Sequence, residues 1–383
     1  MNWKSRLLGT VAAVIVAGEA AAADAVVVAD SEPIQYVAVC EVFGKGFFYI
    51  PGTETCLRIS GYVRHKVGAT NDDGFRSKDG QLVGDTPNYQ GYQAGGWNNQ
   101  TRARINFDAR TETEWGTMRA FVRLQSSWGK ASKKVDPFKD GPAVADQAWL
   151  SLGGLRVGYT QSAWQSTVFG VTNGGSFSDG QLYFGGQQRH LIQYDFGSKK
   201  GLFGVVSLED DALAGRGYVP DVVGVVGYGG GWGAIWTRLG YDESYNEARD
   251  GGFGAQLGAE LEIPDTDSAI RVMGWYADAD HKYGTQSAYK EVTKGNGNAE
   301  WSFLASYNHQ FSKTFSASTG FQYFNNFYAK HSDVKTGVNG YGIDLSFVYE
   351  PVEDFEIRTE GNYDKVDGLD GSVSGFVWFL RRF

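Results

Sequence analysis

From residue 57 the chain alternates. Leu57, Ile59, Gly61, Val63, Val67 and Ala69 share one parity, and Arg58, Ser60, Tyr62, Arg64 and Lys66 share the other, with His65 on the apolar side. Successive side chains of a strand point to opposite faces, so such a stretch of about ten residues fits a sheet with one apolar and one polar face. The pattern returns at 101–111, where Ala103, Ile105, Phe107 and Ala109 alternate with Arg102, Arg104, Asn106, Asp108 and Arg110. A third predicted strand sets Met118, Ala120, Val122 and Leu124 against Arg119, Phe121, Arg123 and Gln125. Three successive strands therefore carry arginine on the same face.

Further on, strands pair across short breaks at Glu114 to Gly116, Gly153-Gly154, 197–201 (GSKKG), 229–231, 264–268 (PDTDS), 312–314 and 351–354. Eight longer connections alternate with these seven tight turns, which predicts sixteen strands with both ends on one rim. Short turns on one rim and long loops on the other are the arrangement of a transmembrane antiparallel β-barrel. Phe196, Phe311, Phe315, Tyr349 and Phe355 lie on the apolar parity beside short turns, where an interfacial aromatic girdle belongs.

Composition agrees with an all-β chain: 53 of 383 residues are Gly, about twice ordinary usage, and 15% are aromatic. Lys4 and Arg6, an apolar run from Leu7 to Gly18, and Ala20-Ala21-Ala22 read as a secretory leader, residues 1–22. Its removal takes Lys4, Arg6 and Glu19 from the 35 basic and 44 acidic residues, leaving 33 and 43, a net charge of −10. Nucleic acid is an unsuitable partner for that charge. Beyond residue 22 there is no run of eighteen apolar residues, so strands and not helices would cross a membrane.

Cys40 and Cys56 are the two cysteines. In an exported chain they read as one disulfide closing a 17-residue loop, worth about 3 kcal/mol in the chain-entropy model, with two free thiols as the alternative. The predicted organisation is a leader at 1–22, an N-terminal segment with the cysteine loop at 23–56, and the barrel at 57–383.

Residues 162–188, SAWQSTVFGVTNGGSFSDGQLYFGGQQ, are the third long connection and have neither helical period nor sustained alternation. A connection of this length is usually functional or disordered, and the expectation is that it folds into the lumen. The candidate pore-lining residues are Arg58, Arg64, Lys66, Arg102, Arg104, Arg119 and Arg123 on the wall and Asp179 on this loop. Glu260, Glu262, Asp344, Glu350, Glu356 and Glu360 also have the lumen parity and are expected to help a field across the pore. The bland alternative is that a lumen wall needs polar residues of any kind.

Three segments make the match to a family specific: CEVFGKGFFYIPGTETCLRISGYVR (40–64), AWLSLGGLRVGY (148–159) and GYGGGWGAI (227–235). They resemble the alphaproteobacterial general porins. The resemblance implies a sixteen-stranded, trimeric porin of the bacterial outer membrane, passive diffusion of ions and small hydrophilic solutes, and a third loop that narrows the pore. It implies contact with outer-membrane lipid and lipopolysaccharide, and no cofactor. The final strand ends on Phe383, which resembles the signal read by the barrel-assembly machinery, although Arg381 departs from that signal. Asp179 is the single acid on the third loop, where the family tends to have several.

An enzyme is not indicated: the five histidines are scattered, neither HExxH nor GxSxG occurs, and the glycines of GYGGGWG sit at a tight turn that opens no helix. A plugged structural or adhesive barrel would need the same strands. A propeller or lectin would need repeats of about 40–50 residues, which are missing, and a 22-stranded plugged transporter would not fit this length.

Overall fold

The computed structural model describes residues 38–70, 97–129, 142–170, 175–179, 182, 187–210, 219–243, 251–286, 296–368 and 370–383. The expected leader at 1–22 lies outside them. Two two-residue strands and sixteen long ones are present among these residues. The short ones are β1 (Phe48–Tyr49) and β13 (Thr285–Gln286).

The long ones run in chain order as β2 (Cys56–Thr70), β3 (Trp97–Thr113), β4 (Gly116–Gly129), β5 (Val144–Leu152), β6 (Leu155–Gln161), β7 (Gln188–Gly197), β8 (Gly201–Asp210) and β9 (Asp221–Gly230). They continue as β10 (Gly233–Asp242), β11 (Gly252–Glu262), β12 (Ala269–Ala277), β14 (Asn296–Ser312), β15 (Phe315–Ala329), β16 (Gly340–Val352), β17 (Phe355–Val366) and β18 (Ser372–Arg382).

Each long strand pairs antiparallel with its neighbours, and β18 returns to β2 with Trp378 opposite Lys66 and Leu380 opposite Arg64. Closure leaves no edge, the condition for a sheet in hydrocarbon. Phe383 completes the seam: its N–H donates to the Gly61 carbonyl at 3.1 Å and its carbonyl accepts from the Gly61 N–H at 2.9 Å.

All seven expected tight turns lie on one rim, between β3 and β4, β5 and β6, and on to β16 and β17. Local chemistry explains them. Thr113 Oγ1 donates to the Gly116 carbonyl at 2.6 Å and accepts from the Trp115 N–H, and Gly153 turns the chain at φ +56°, a conformation costly for a side chain with Cβ. The outward face is apolar, with Ile59, Val63, Leu150, Ile192, Phe303 and Phe379 all exposed. In a bilayer that surface is buried in lipid.

One feature departs from the expectation. The inward faces of β8, β9, β10, β12 and β14 carry Phe203, Val205, Val223, Trp236, Trp275 and Leu304 in one buried apolar cluster. The expected disulfide is present, with Cys40 bonded to Cys56, and β1 pairs with the start of β2.

Candidate functional site

The polar parity of β2, β3 and β4 turns seven predicted cations inward, and the strand register sets their heights. Arg64 stands opposite Arg102, Tyr62 opposite Arg104, and Arg58 opposite Asp108. Asn106 stands opposite Arg123, and Arg110 opposite Arg119. The cations fall into three groups. At the rim, Arg58, Arg110 and Arg119 share the buried carboxylate of Asp108, at 3.4, 2.7 and 2.7 Å. Midway, Arg104 and Arg123 approach Asp146 at 3.9 and 3.7 Å. Above them Arg64 Nη1 lies 3.8 Å from Asp179 Oδ2, and Arg102 donates from Nε to Ser127 Oγ at 3.0 Å.

Aromatic rings pack against these side chains. Arg104 lies 5.1 Å from the Tyr62 ring centre, Arg119 lies 4.7 Å from Trp149, and Arg64 lies 4.6 Å from Trp378. The Lys66 ammonium, almost wholly buried, is 3.5 Å from the Phe376 ring centre. Such contacts contribute about 0.5–2 kcal/mol each and restrict the rotamers of long cationic side chains.

The described parts of the segment after β6 meet the interior wall at residues 163–164, against β8 and β10, and at Asp179, against β17. The segment begins in a single turn in which the Ser166 N–H donates to the Ser162 carbonyl at 2.8 Å. Trp164 is fully buried against the apolar wall, and Arg238 Nη1 donates to the carbonyls of Ala163 and Trp164 at 3.1 and 2.7 Å. Glu209 accepts from the Ala163 N–H at 2.9 Å.

Further along, Arg271 Nη1 donates to the Gly175 carbonyl at 2.6 Å, and the hydroxyls of Ser176 and Ser178 both donate to Asp344. Glu360 accepts from the Asp179 N–H at 2.9 Å. Leu182 sits in a hollow left by Gly320 and Gly342, where a Cβ would collide with it. The loop thereby presents the Asp179 carboxylate to Arg64 on β2.

Several carboxylates expected to act on the open lumen are thus occupied by the loop. Asp344 and Glu360 lie beneath it, 1% and 2% exposed, and Glu260 pairs with Arg271 at 2.6 Å. Glu356 accepts from Trp378 Nε1 at 2.9 Å and pairs with Arg358 at 3.1 Å. Glu350 meets Arg382 at 3.2 Å, and Glu262 is exposed beside its turn. Their parity was legible in the sequence; their partners were not.

A second inward segment, 278–286, is absent from the sequence expectations. Tyr283 is fully buried, 5.7 Å edge-on to Trp164, and its hydroxyl donates to Asp221 at 2.9 Å. The Lys282 N–H donates to Asp242 at 3.1 Å, and Asp280 accepts from the N–H groups of Asn298 and His331 at 2.9 and 2.7 Å. The inward positions of β10 and β11 opposite Tyr283 are Gly240 and Gly254, and a Cβ at either would run into it. Those glycines on the lumen parity were the available signal. Arg110, Asp108 and Asp146 also belong to the cationic wall and were not singled out.

At the tight-turn rim the Cys40–Cys56 disulfide closes a hairpin whose Phe47 ring centre is 4.8 Å from Arg58 and 4.9 Å from Arg110. Among the described residues no group of three or more His, Cys, Asp or Glu is arranged to hold a metal ion.

Comparison with known proteins gives a consistent result. A family model described as "Porin subfamily" matches residues 24–374. Porin Omp2b of Brucella suis biovar 1 and Porin Omp2b of Brucella abortus are each 32% identical over the full length of both chains. The fold is similar to the outer membrane channel DcaP of Acinetobacter baumannii, at a TM-score of 0.63 and 13% identity over 88% of this chain and 99% of that one. It is also similar to an anion-selective porin from Comamonas acidovorans, at a TM-score of 0.56 and 12% identity over 86% of this chain and all of the other.

Proposed function

The chain belongs to the Porin subfamily and is an outer-membrane porin, a non-enzymatic diffusion channel, and on that premise we propose which residues set its passage. The narrowest part lies between the cationic wall and the inward loop. Arg58, Arg64, Lys66, Arg102, Arg104, Arg119 and Arg123 line one side, and Asp179 projects from the other. The 3.8 Å approach of Arg64 to Asp179 is the observation that carries this reading, because it brings loop and wall together inside the barrel.

A transverse field follows from that segregation of charge. Dipolar and charged solutes are oriented by it, whereas apolar ones forfeit hydration without compensation. With Asp344 and Glu360 beneath the loop, the cationic side dominates. The test is the reversal potential of purified protein in a planar bilayer across a KCl gradient. Replacing Arg102, Arg104 and Arg123 together by Gln shifts it toward cation preference; an unaltered potential overturns the assignment.

Assembly as a homotrimer, contact with lipopolysaccharide and recognition of the last strand by the barrel-assembly machinery are part of the same proposal. The outward position of Phe383, 57% exposed at the seam, supports the last of these. Conductance steps in groups of three are expected from the trimer.

A further inference from the structure

Resting on the diffusion-channel reading, we infer that the cationic wall is a stepped binding track for small oxyanions, carboxylates and phosphate, running from the loop contact to the disulfide hairpin at the tight-turn rim. Three observations carry it: spacing, charge imbalance and the way the guanidinium groups are held.

The register places inward cations at successive heights. The Arg64–Arg102 level is followed by Arg104 beside Tyr62, then Arg123 beside Asn106, and at the rim Arg58, Arg110 and Arg119. Adjacent same-face positions along a strand are separated by about 6.6–6.8 Å, less than the Debye length of about 8 Å at physiological salt. Neighbouring steps therefore share overlapping potential, and an anion leaving one cation is already within reach of the next.

The seven arginines of this wall outnumber their acids. The carboxylates within ion-pair distance of them, among the described residues, are Asp108, Asp146 and Asp179. Asp108 is shared by three guanidinium groups and Asp146 by two, and Arg102 has a serine hydroxyl as its partner. The surplus is positive at both ends of the wall.

Guanidinium carbons lie 4.7–5.4 Å from the ring centres of Tyr62, Phe121, Trp149 and Phe47. The Nε and Nη2 groups of Arg110 and Arg119 donate to Asp108 and those of Arg104 to Gln125, while Nε of Arg102 and Arg123 donates to Ser127 and Asn106, so the Nη1 edges are the ones offered to a ligand. Planar, forked donors match the paired oxygens of a carboxylate or phosphate better than they match a spherical halide. Because the aromatic faces are already covered by cations, the track selects compact oxyanions and offers little to flat apolar groups.

The experiment is anion block in a planar bilayer with the purified full-length protein in KCl. Inorganic phosphate is added as one probe and succinate as the other, which separates phosphate from carboxylate recognition. The wild-type chloride current is expected to fall saturably with either probe. In Arg102→Gln and in Arg110→Gln the half-blocking concentration is expected to rise about tenfold, the effect of losing one charge-assisted hydrogen bond. Uniform single-channel steps in KCl establish that each variant is folded and inserted. Saturable block by one probe alone keeps the track and assigns its class. Currents that follow bulk anion mobility, or block unaltered in both variants, overturn the track alone, while a membrane passing no current overturns the diffusion reading with it.

Discussion

Trp164→Ala isolates the docking of the inward loop from the stability of the wall. Trp164 is fully buried between the apolar cluster of β8, β9, β10, β12 and β14 and Tyr283, and its ring makes no contact with lipid. Truncating a buried Trp costs about 3–5 kcal/mol. The sixteen-strand ladder closes without this side chain, so the loss falls on the equilibrium between docked and undocked loop. A loss of about 3 kcal/mol lowers the docked fraction relative to the undocked by roughly a hundredfold.

The bonds from Arg238, Arg271, Asp344 and Glu360 still favour docking, so the expected result is a channel that samples a second state. Single-channel records of Trp164→Ala should show a second, higher conductance level, and proteoliposomes should swell in neutral sugars larger than the wild type admits. Leu208→Ala, on the outward face of β8, should leave both readings at wild type. A single conductance level and an unaltered sugar cut-off in Trp164→Ala would refute the assignment of the loop as the narrowing element held by this contact.

Three further outcomes are expected. Gly254→Val places a side chain where the Tyr283 backbone lies, so the second segment cannot dock, and the folded band of a heat-modifiability gel should be lost at a lower temperature; an unshifted transition argues against that packing. Burial, assisted by the carboxylates of Glu209 and Asp221, raises the Tyr283 phenol above its ordinary pKa. The folded value exceeds the unfolded one, so this contribution to stability is full below about pH 10 and is lost as the pH climbs past it. The alkaline tyrosinate absorbance of wild type should equal that of Tyr283→Phe until the segment releases, and an extra signal appearing near pH 10 with the loop still docked contradicts it. Cys40→Ser opens a link between residues 16 apart, about 3 kcal/mol in the chain-entropy model, and should lower the temperature at which the N-terminal hairpin becomes accessible to protease; equal accessibility would mean the hairpin is held by its other contacts.

What could be read from residues alone is what depends on the covalent geometry of a strand. Alternation at 57–69, 101–111 and 118–125 assigns inward and outward faces because successive side chains must oppose each other, and this placed every arginine of the cationic wall. The seven tight turns were legible for the same reason, since their Gly, Asp and Ser residues interrupt that period. Tertiary structure decided which inward residues meet water. LFGVVSL in β8 and VVGVVGY in β9 are apolar on both parities because lipid covers one face and the inward segments cover the other. Asp344 and Glu360 became anchors through bonds to Ser176 and to the Asp179 backbone, 168 and 181 residues away, and no local pattern records contacts at that separation. Only closure of the barrel brings those residues together, and with it the loop's single acid reaches Arg64.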